Sequence, residues 1–149
     1  MHRARCWSSR EDPVPEKLLI VDSEPEMLSL LSMLVREMTP YEPMATNNPI
    51  EALEIVRQGG IALVITGLKM PVMDGFELLE AVKRTDEYTP VIIVTSYGTT
   101  ATAVEALRRG AFDFIVKPFR KERMLFAIER ALEFARLRRD NTALAIRQS

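Results

Sequence analysis

The sequence predicts an open parallel α/β sheet with helices on both faces. Three observations predict it. Short apolar runs alternate with helical patterns five times along the chain. The runs are apolar at successive positions, as in strands covered on both sides. Most helical patterns begin at a capping residue and end near Gly or Pro, so strands and helices are cleanly separated.

Composition sets the outer limits. The 149 residues suit one domain with a real core. Hydrophobic residues make up 47% and charged residues 28%, an ordinary globular profile. The net charge of -1 gives no bulk pull toward nucleic acid or membrane. Cys6 is the single cysteine, which excludes an intrachain disulfide and a cysteine metal cluster. No apolar run reaches the length of a membrane span. The N-terminal arginines lack the apolar segment of a secretory signal, so a cytoplasmic location is expected.

Residues 1–16 are polar and aperiodic, with Pro13 and Pro15, and read as a flexible tail. His2, Arg3, Arg5 and Arg10 there read as solvated, and Trp7 fits disorder poorly. Lys17 to Asp22 is a continuous apolar run ending in an acid and reads as the first buried strand. Ser23-Glu24-Pro25-Glu26 has capping-box spacing, with Ser23 as the cap. Met27, Leu28, Leu31, Leu34, Val35 and Met38 follow at helical spacing, closed by Pro40. A weak strand sits at Pro43–Thr46. Asn48, Pro49 and Glu51 start the second helix, with Ala52, Leu53 and Val56 inward and Gly59-Gly60 at its end.

Ile61 to Thr66 is the third strand. Asp74-Gly75-Phe76-Glu77 caps the next helix, whose inward stripe is Phe76, Leu79 and Val82. Pro90–Thr95 is the fourth strand, with proline tolerated at its start. Thr99–Arg109 is a helix with Ala103, Val104 and Leu107 inward, stopped by Gly110. Phe112–Val116 is the fifth strand. A last helix runs from about Lys121 to at least Asp140.

Right-handed crossovers bring the strand C-terminal ends to one edge, where ligands bind in such sheets. That edge receives Asp22 and Ser23, Thr66 and Gly67, Thr95 and Ser96, and Lys117. An acid, hydroxyls and a lysine in one crevice suit a phosphate or metal-phosphate site. Polar residues that merely end strands fit the same pattern.

Four motifs in order sharpen this reading: Leu19-Ile20-Val21-Asp22, then Lys69-Met70-Pro71-Val72-Met73-Asp74-Gly75, then Val94-Thr95, then Lys117-Pro118-Phe119. Together they resemble the receiver domain of bacterial response regulators (CheY-like). The resemblance covers about Lys17 to Glu133 and implies a flavodoxin-like (βα)5 fold, extended by the C-terminal helix. It also implies the sheet order 2-1-3-4-5, which is the order of CheY itself. Domain limits of 17–133 for the receiver and 134–149 for a helical extension follow.

The resemblance also implies a chemistry. An aspartate ending the third strand accepts a phosphoryl group. Two acids ending the first strand help hold Mg²⁺. The lysine of Lys-Pro-Phe pairs with the phosphoryl group, and a Ser or Thr and an aromatic form the switch. This chain departs at two of those positions. The acceptor position, three residues before Met70, is Gly67, which offers no nucleophile. The direct metal-ligand position is Ser23, leaving Asp22 and the Lys69 carbonyl as a degenerate Mg²⁺ site. No cofactor is therefore expected.

Asp22, Ser23, Thr95, Phe114 and Lys117 remain as remnants of the phosphate site and switch. Lys117 is expected to pair with Asp22. Alternatively Lys117, Thr95 and backbone N–H groups hold a loose anion. Phe114 reads equally as plain core. The Lys117-Pro118 bond is a candidate cis peptide.

On the last helix, Leu125, Ile128 and Leu132 form a stripe assigned to the sheet. Ala127, Arg130, Phe134, Leu137, Asn141 and Leu144 form a second stripe at coiled-coil spacing, with Asn141 suited to fixing dimer register. Residues 133–141 resemble the linker helix of NtrC-type regulators. Arg136, Arg138, Arg139 and Arg147 lack the aromatics or recognition motif of a nucleic-acid surface, so no direct nucleic-acid contact is expected.

The expected function is an atypical receiver without aspartyl phosphorylation, not an enzyme, binding other signalling proteins (a kinase, a regulator or an output domain). It would bind through the face of the fourth helix, fifth strand and fifth helix, or as a homodimer through the C-terminal helix. Three alternatives stand beside it. One is phosphorylation at a substitute such as Thr66 or Ser23. Another is a small-ligand or anion sensor on the same fold. The third is the receiver portion of a longer DNA-binding regulator.

Overall fold

The computed structural model describes residues 16–148, with side chains described through residue 140. The readings of His2, Arg3, Arg5, Cys6, Trp7 and Arg10, and of the Asn141, Leu144 and Arg147 side chains, lie outside the described residues. The elements alternate without exception: β1 (Lys17–Val21), α1 (Pro25–Met38), β2 (Glu42–Thr46), α2 (Pro49–Gln58), β3 (Ile61–Gly67), α3 (Gly75–Thr85), β4 (Val91–Thr95), α4 (Thr100–Arg108), β5 (Asp113–Val116) and α5 (Lys121–Gln148). The sheet is parallel, in the order β2-β1-β3-β4-β5. The strand pattern and the expected order both hold.

Two cores lie on opposite faces of the sheet, because successive strand side chains alternate sides. Leu18, Ile20, Leu63, Ile65, Ile92 and Ile115 pack against Leu31, Leu34 and Val35 of α1 and Met124 and Ile128 of α5. Leu19, Val21, Val64, Val91 and Ile93 pack against Val56 of α2, Leu78, Leu79 and Val82 of α3, and Ala106 of α4. Burying each such side chain is worth roughly 1.5–3 kcal/mol, so both faces must be covered. This explains why the inner strands β1, β3 and β4 are apolar at nearly every position.

The helix starts follow their caps. The Asn48 side chain accepts from the amides of Ile50 and Glu51. Asp74 and Glu77 form a reciprocal capping box. A side chain at Gly75 would meet the Gly67 carbonyl oxygen at 2.3 Å, so only glycine lets α3 begin this close to the end of β3.

Several inward faces differ from expectation. Ser23 is not the cap of α1: Glu24 holds that position without a side-chain cap, and Pro25 opens the helix. The Glu24 amide bonds instead to Asp22. Met38 is half exposed at the end of α1, and Phe76 only borders its core. On α4 the buried residue is Ala106, while Val104 and Leu107 are 51% and 52% exposed. A small residue faces the sheet here, and the larger side chains turn outward. On α5 the same rule applies: Met124, Ala127, Ile128, Ala131 and Ala135 are buried, with Leu125 and Leu132 at their margin. Ala127 thus belongs to the core and not to an outer seam.

Candidate functional site

Strand register brings the expected residues to one edge. Val21 pairs with Thr66, Gly67 with Val94 and Thr95 with Val116. Asp22, Gly67, Thr95 and Lys117 therefore stand at the ends of four neighbouring strands. The Lys117 amide donates to the Thr95 carbonyl at 2.8 Å. The Lys117-Pro118 peptide is cis.

Asp22 and Lys117 meet at the centre. Lys117 Nζ donates to Asp22 Oδ2 at 3.1 Å, with side chains 11% and 4% exposed. Asp22 Oδ1 accepts the Glu24 amide at 2.9 Å. Lys117 also reaches Glu24 Oε1 at 3.3 Å. In the sequence Glu24 stands out only as part of a capping box, and here it is a second carboxylate for the lysine. The local turn before Pro25 is what swings it toward β5, and no spacing rule signals that.

Gly67 brings no side chain to this centre, but its position aims there. A Cβ at Gly67 would lie 3.0 Å from Asp22 Oδ2. The Asp22 carboxylate thus occupies the space into which a residue-67 side chain would grow. Thr66 is no substitute in geometry: it is fully buried, and its hydroxyl donates to the Gly67 carbonyl. Ser23 is exposed and points no charge at the site.

The remaining residues form the rim. The buried Thr95 hydroxyl accepts the Tyr97 amide at 3.0 Å. Phe114 is half-buried at the margin of the second core. Gly98 lies against it: a Cβ there would come within 3.3 Å of Phe114 and 2.4 Å of the Val116 side chain. Gly98 is therefore a packing requirement, and no motif or spacing singles it out in the sequence. Lys69 sits with its ammonium 5.6 Å from the Tyr97 ring centroid, bridging the loops after β3 and β4.

A magnesium ion fits these residues poorly. It requires several oxygen ligands in octahedral array, preferably with carboxylate charge. Asp22 is already committed through both oxygens, and the neighbouring charge is a lysine. No cluster of three or more acidic, His or Cys side chains suited to a metal exists among the described residues.

Residues 18–129 match the family model of the response regulator receiver domain. The chain belongs to that family. The receiver is 33% identical over 129 residues to a putative NtrX-like response regulator of Rickettsia bellii, covering 85% of this chain and 27% of that protein. The receiver thus spans about a quarter of that relative's length. It superposes on NtrX from Brucella abortus, crystallised with ATP, with a TM-score of 0.80 and 31% identity, over 88% of this chain and 30% of that one. It also resembles the beryllofluoride-activated NtrC4 receiver domain dimer, with a TM-score of 0.76 and 31% identity, over 80% of this chain and 98% of that one. Receiver domains are signalling modules of two-component systems that interact with kinases and output domains, not catalysts in their own right. No helix among the described residues is long and apolar enough to cross a membrane.

Proposed function

We propose that this receiver transmits its signal without aspartyl phosphorylation. The observation that carries the reading is the occupation of the acceptor's space. Gly67 has no nucleophile, and the Asp22 carboxylate, paired with Lys117, stands 3.0 Å from where a Cβ at this position would lie. A phosphoryl group entering the site would have to displace a buried ion pair, with no acyl phosphate to gain. Mg²⁺ binding is weak or lost on the same grounds.

The domain then works by the surfaces it presents. On the face of α4, β5 and α5, Val104, Leu107, Val116 and Phe126 are exposed on adjoining elements. Such apolar exposure suits a protein partner, whether a kinase, a regulator, an output domain or a second copy. The likeness to the NtrC4 receiver dimer supports the second copy. A homodimer seam on α5 is narrower than the spacing suggests, since Ala127 is buried, leaving Arg130, Phe134 and Leu137 toward solvent. The setting is cytoplasmic, where two-component partners of this kind are found.

Incubation with acetyl phosphate and Mg²⁺, followed by intact-mass measurement, tests the reading. The expected result is no adduct. A stoichiometric phosphate adduct would overturn it and point to a hydroxyl such as Thr66 or Ser23. The Gly67→Asp, Ser23→Asp double variant should gain a Mg²⁺-dependent adduct, because it supplies the missing nucleophile and the missing metal carboxylate, and a Cβ at position 67 asks only a small shift of the Asp22 carboxylate.

A further inference from the structure

At the other edge of the sheet, where β4 and β5 begin, lies a second group of charges. Lys83 stands in the last turn of α3, Tyr88 in the loop before β4, and Gly110 and Phe112 before β5. Phe134 and Arg138 come from the distal part of α5. Together these residues line a cavity of about 290 Å³.

The two cations of this cavity have unusual company. Lys83 Nζ donates to the carbonyls of Thr89 at 3.0 Å and Glu87 at 3.3 Å. An ammonium carries three N–H groups, so one is left over. The Arg138 guanidinium lies 5.2 Å from the Tyr88 ring centroid and 5.6 Å from that of Phe134. Among the described residues, neither cation forms a salt bridge. Asp86, the carboxylate beside them, is taken by Arg139 at 3.2 Å and by the Tyr88 amide. Burial pushes the Lys83 ammonium below its usual range, and the charge of Arg138 pushes it further, against the pull of Asp86 and Glu87. Like charges lining one cavity repel, and an anion between them would turn repulsion into attraction.

The walls narrow the choice of anion. The rings of Phe112 and Phe134 lie tilted against each other, 5.5 Å between centroids, and with Tyr88 they set flat aromatic rings in a lining that is otherwise largely polar. A guanidinium and an ammonium at its polar end suit two carboxylate oxygens. We propose that this cavity binds a small organic carboxylate with a flat apolar body, its oxygens bridging Lys83 and Arg138. Lys83 belongs to the receiver body, whereas Arg138 and Phe134 belong to the helical extension. The bound carboxylate therefore ties the extension to the body and sets the direction in which α5 leaves it. The site lies away from Gly67 and operates whether or not position 67 can be phosphorylated.

Benzoate serves as the probe. The 149-residue chain is titrated with sodium benzoate, and separately with inorganic phosphate at matched ionic strength, while amide chemical shifts are followed. Benzoate should give saturable shifts at Tyr88, Gly110 and Phe112, and slower hydrogen exchange over residues 134–140. Arg138→Gln and Lys83→Gln should each weaken binding on the order of tenfold, about 1.4 kcal/mol. Lys69→Gln, at the opposite edge, should leave it unchanged. If Lys83→Gln fails to fold, Arg138→Gln decides the matter, since its side chain supports no backbone carbonyl. Non-saturating shifts, equal binding by the variants, or shifts centred on Asp22 and Lys117 would overturn the site. Binding of phosphate as tight as that of benzoate would overturn the carboxylate assignment.

Discussion

The two edges of the sheet each hold a partly buried lysine, and they solve its charge in opposite ways. Lys117 is matched by carboxylates: Asp22 from the end of β1 and Glu24 from the turn after it. Lys83 is matched by dipoles: two loop carbonyls, with an arginine facing the same cavity. A fully matched charge makes a closed, structural site. A charge hydrogen-bonded to carbonyls, with Asp86 and Glu87 near but in no salt bridge to it, keeps a donor and a field for something else. The edge that usually carries receiver chemistry is here the neutralised one, and the opposite edge is the one with charge to spare.

Removing each lysine in turn puts that contrast at risk. Lys117→Met leaves the Asp22 carboxylate buried without its partner, which costs about 3–5 kcal/mol. Glu24, more than half exposed, is a second carboxylate and offers Asp22 no replacement partner. Urea unfolding measures the loss, and a loss under about 1 kcal/mol would mean the pair is not a structural core of the site. Lys83→Met should cost less, about 1 kcal/mol, since it forfeits hydrogen bonds to neutral carbonyls and at the same time relieves repulsion with Arg138. If the two costs proved equal, the distinction between a matched and an unmatched edge would fall.

Acid titration gives the finest test, with the smallest effect. Burial pushes the Asp86 carboxyl up, but the Tyr88 amide, the nearby Thr89 hydroxyl and Arg139 outweigh it and hold it below its ordinary value of 3.8. A depressed carboxyl contributes stability that is present above the ordinary value and is lost as pH falls through the folded one. Melting temperature recorded down through the carboxylate range should therefore drop less steeply in Asp86→Asn than in the parent. An unchanged slope would remove Asp86 and Arg139 from the account of how the helical extension is held.

Much of this molecule is legible in its residues. Inner strands apolar at successive positions require cover on both faces, and cover on both faces with one helix between strands leaves a doubly wound sheet. Asn48 and Asp74 announce their helices because a cap is a local hydrogen bond between near neighbours in sequence. The pairing of Lys117 with Asp22 is also foreseeable, since an unmatched lysine and an unmatched aspartate end strands at the same edge of the sheet. Ser23 shows the limit of local rules. Its spacing to Glu26 satisfies the capping pattern, yet Pro25 sets the start of the helix and Asp22 takes the free amide.

Helix faces are the other limit. A period of 3.6 residues locates a stripe, but where two stripes are apolar it does not say which one meets the sheet. Leu107 and Ala106 on α4, or Leu125 and Met124 on α5, are adjacent alternatives at the level of pattern. Tertiary packing chooses between them, and on α4 it buries the alanine. The order of elements, most of their caps and the missing side chain at position 67 can be read from the chain alone, because each is a property of one residue and its near neighbours. That Asp22 fills the space at Gly67, that Glu24 joins Lys117, and that Lys83 shares a cavity with Arg138 emerge only once the chain is folded. Each joins residues far apart in the chain, and their distance is set by packing.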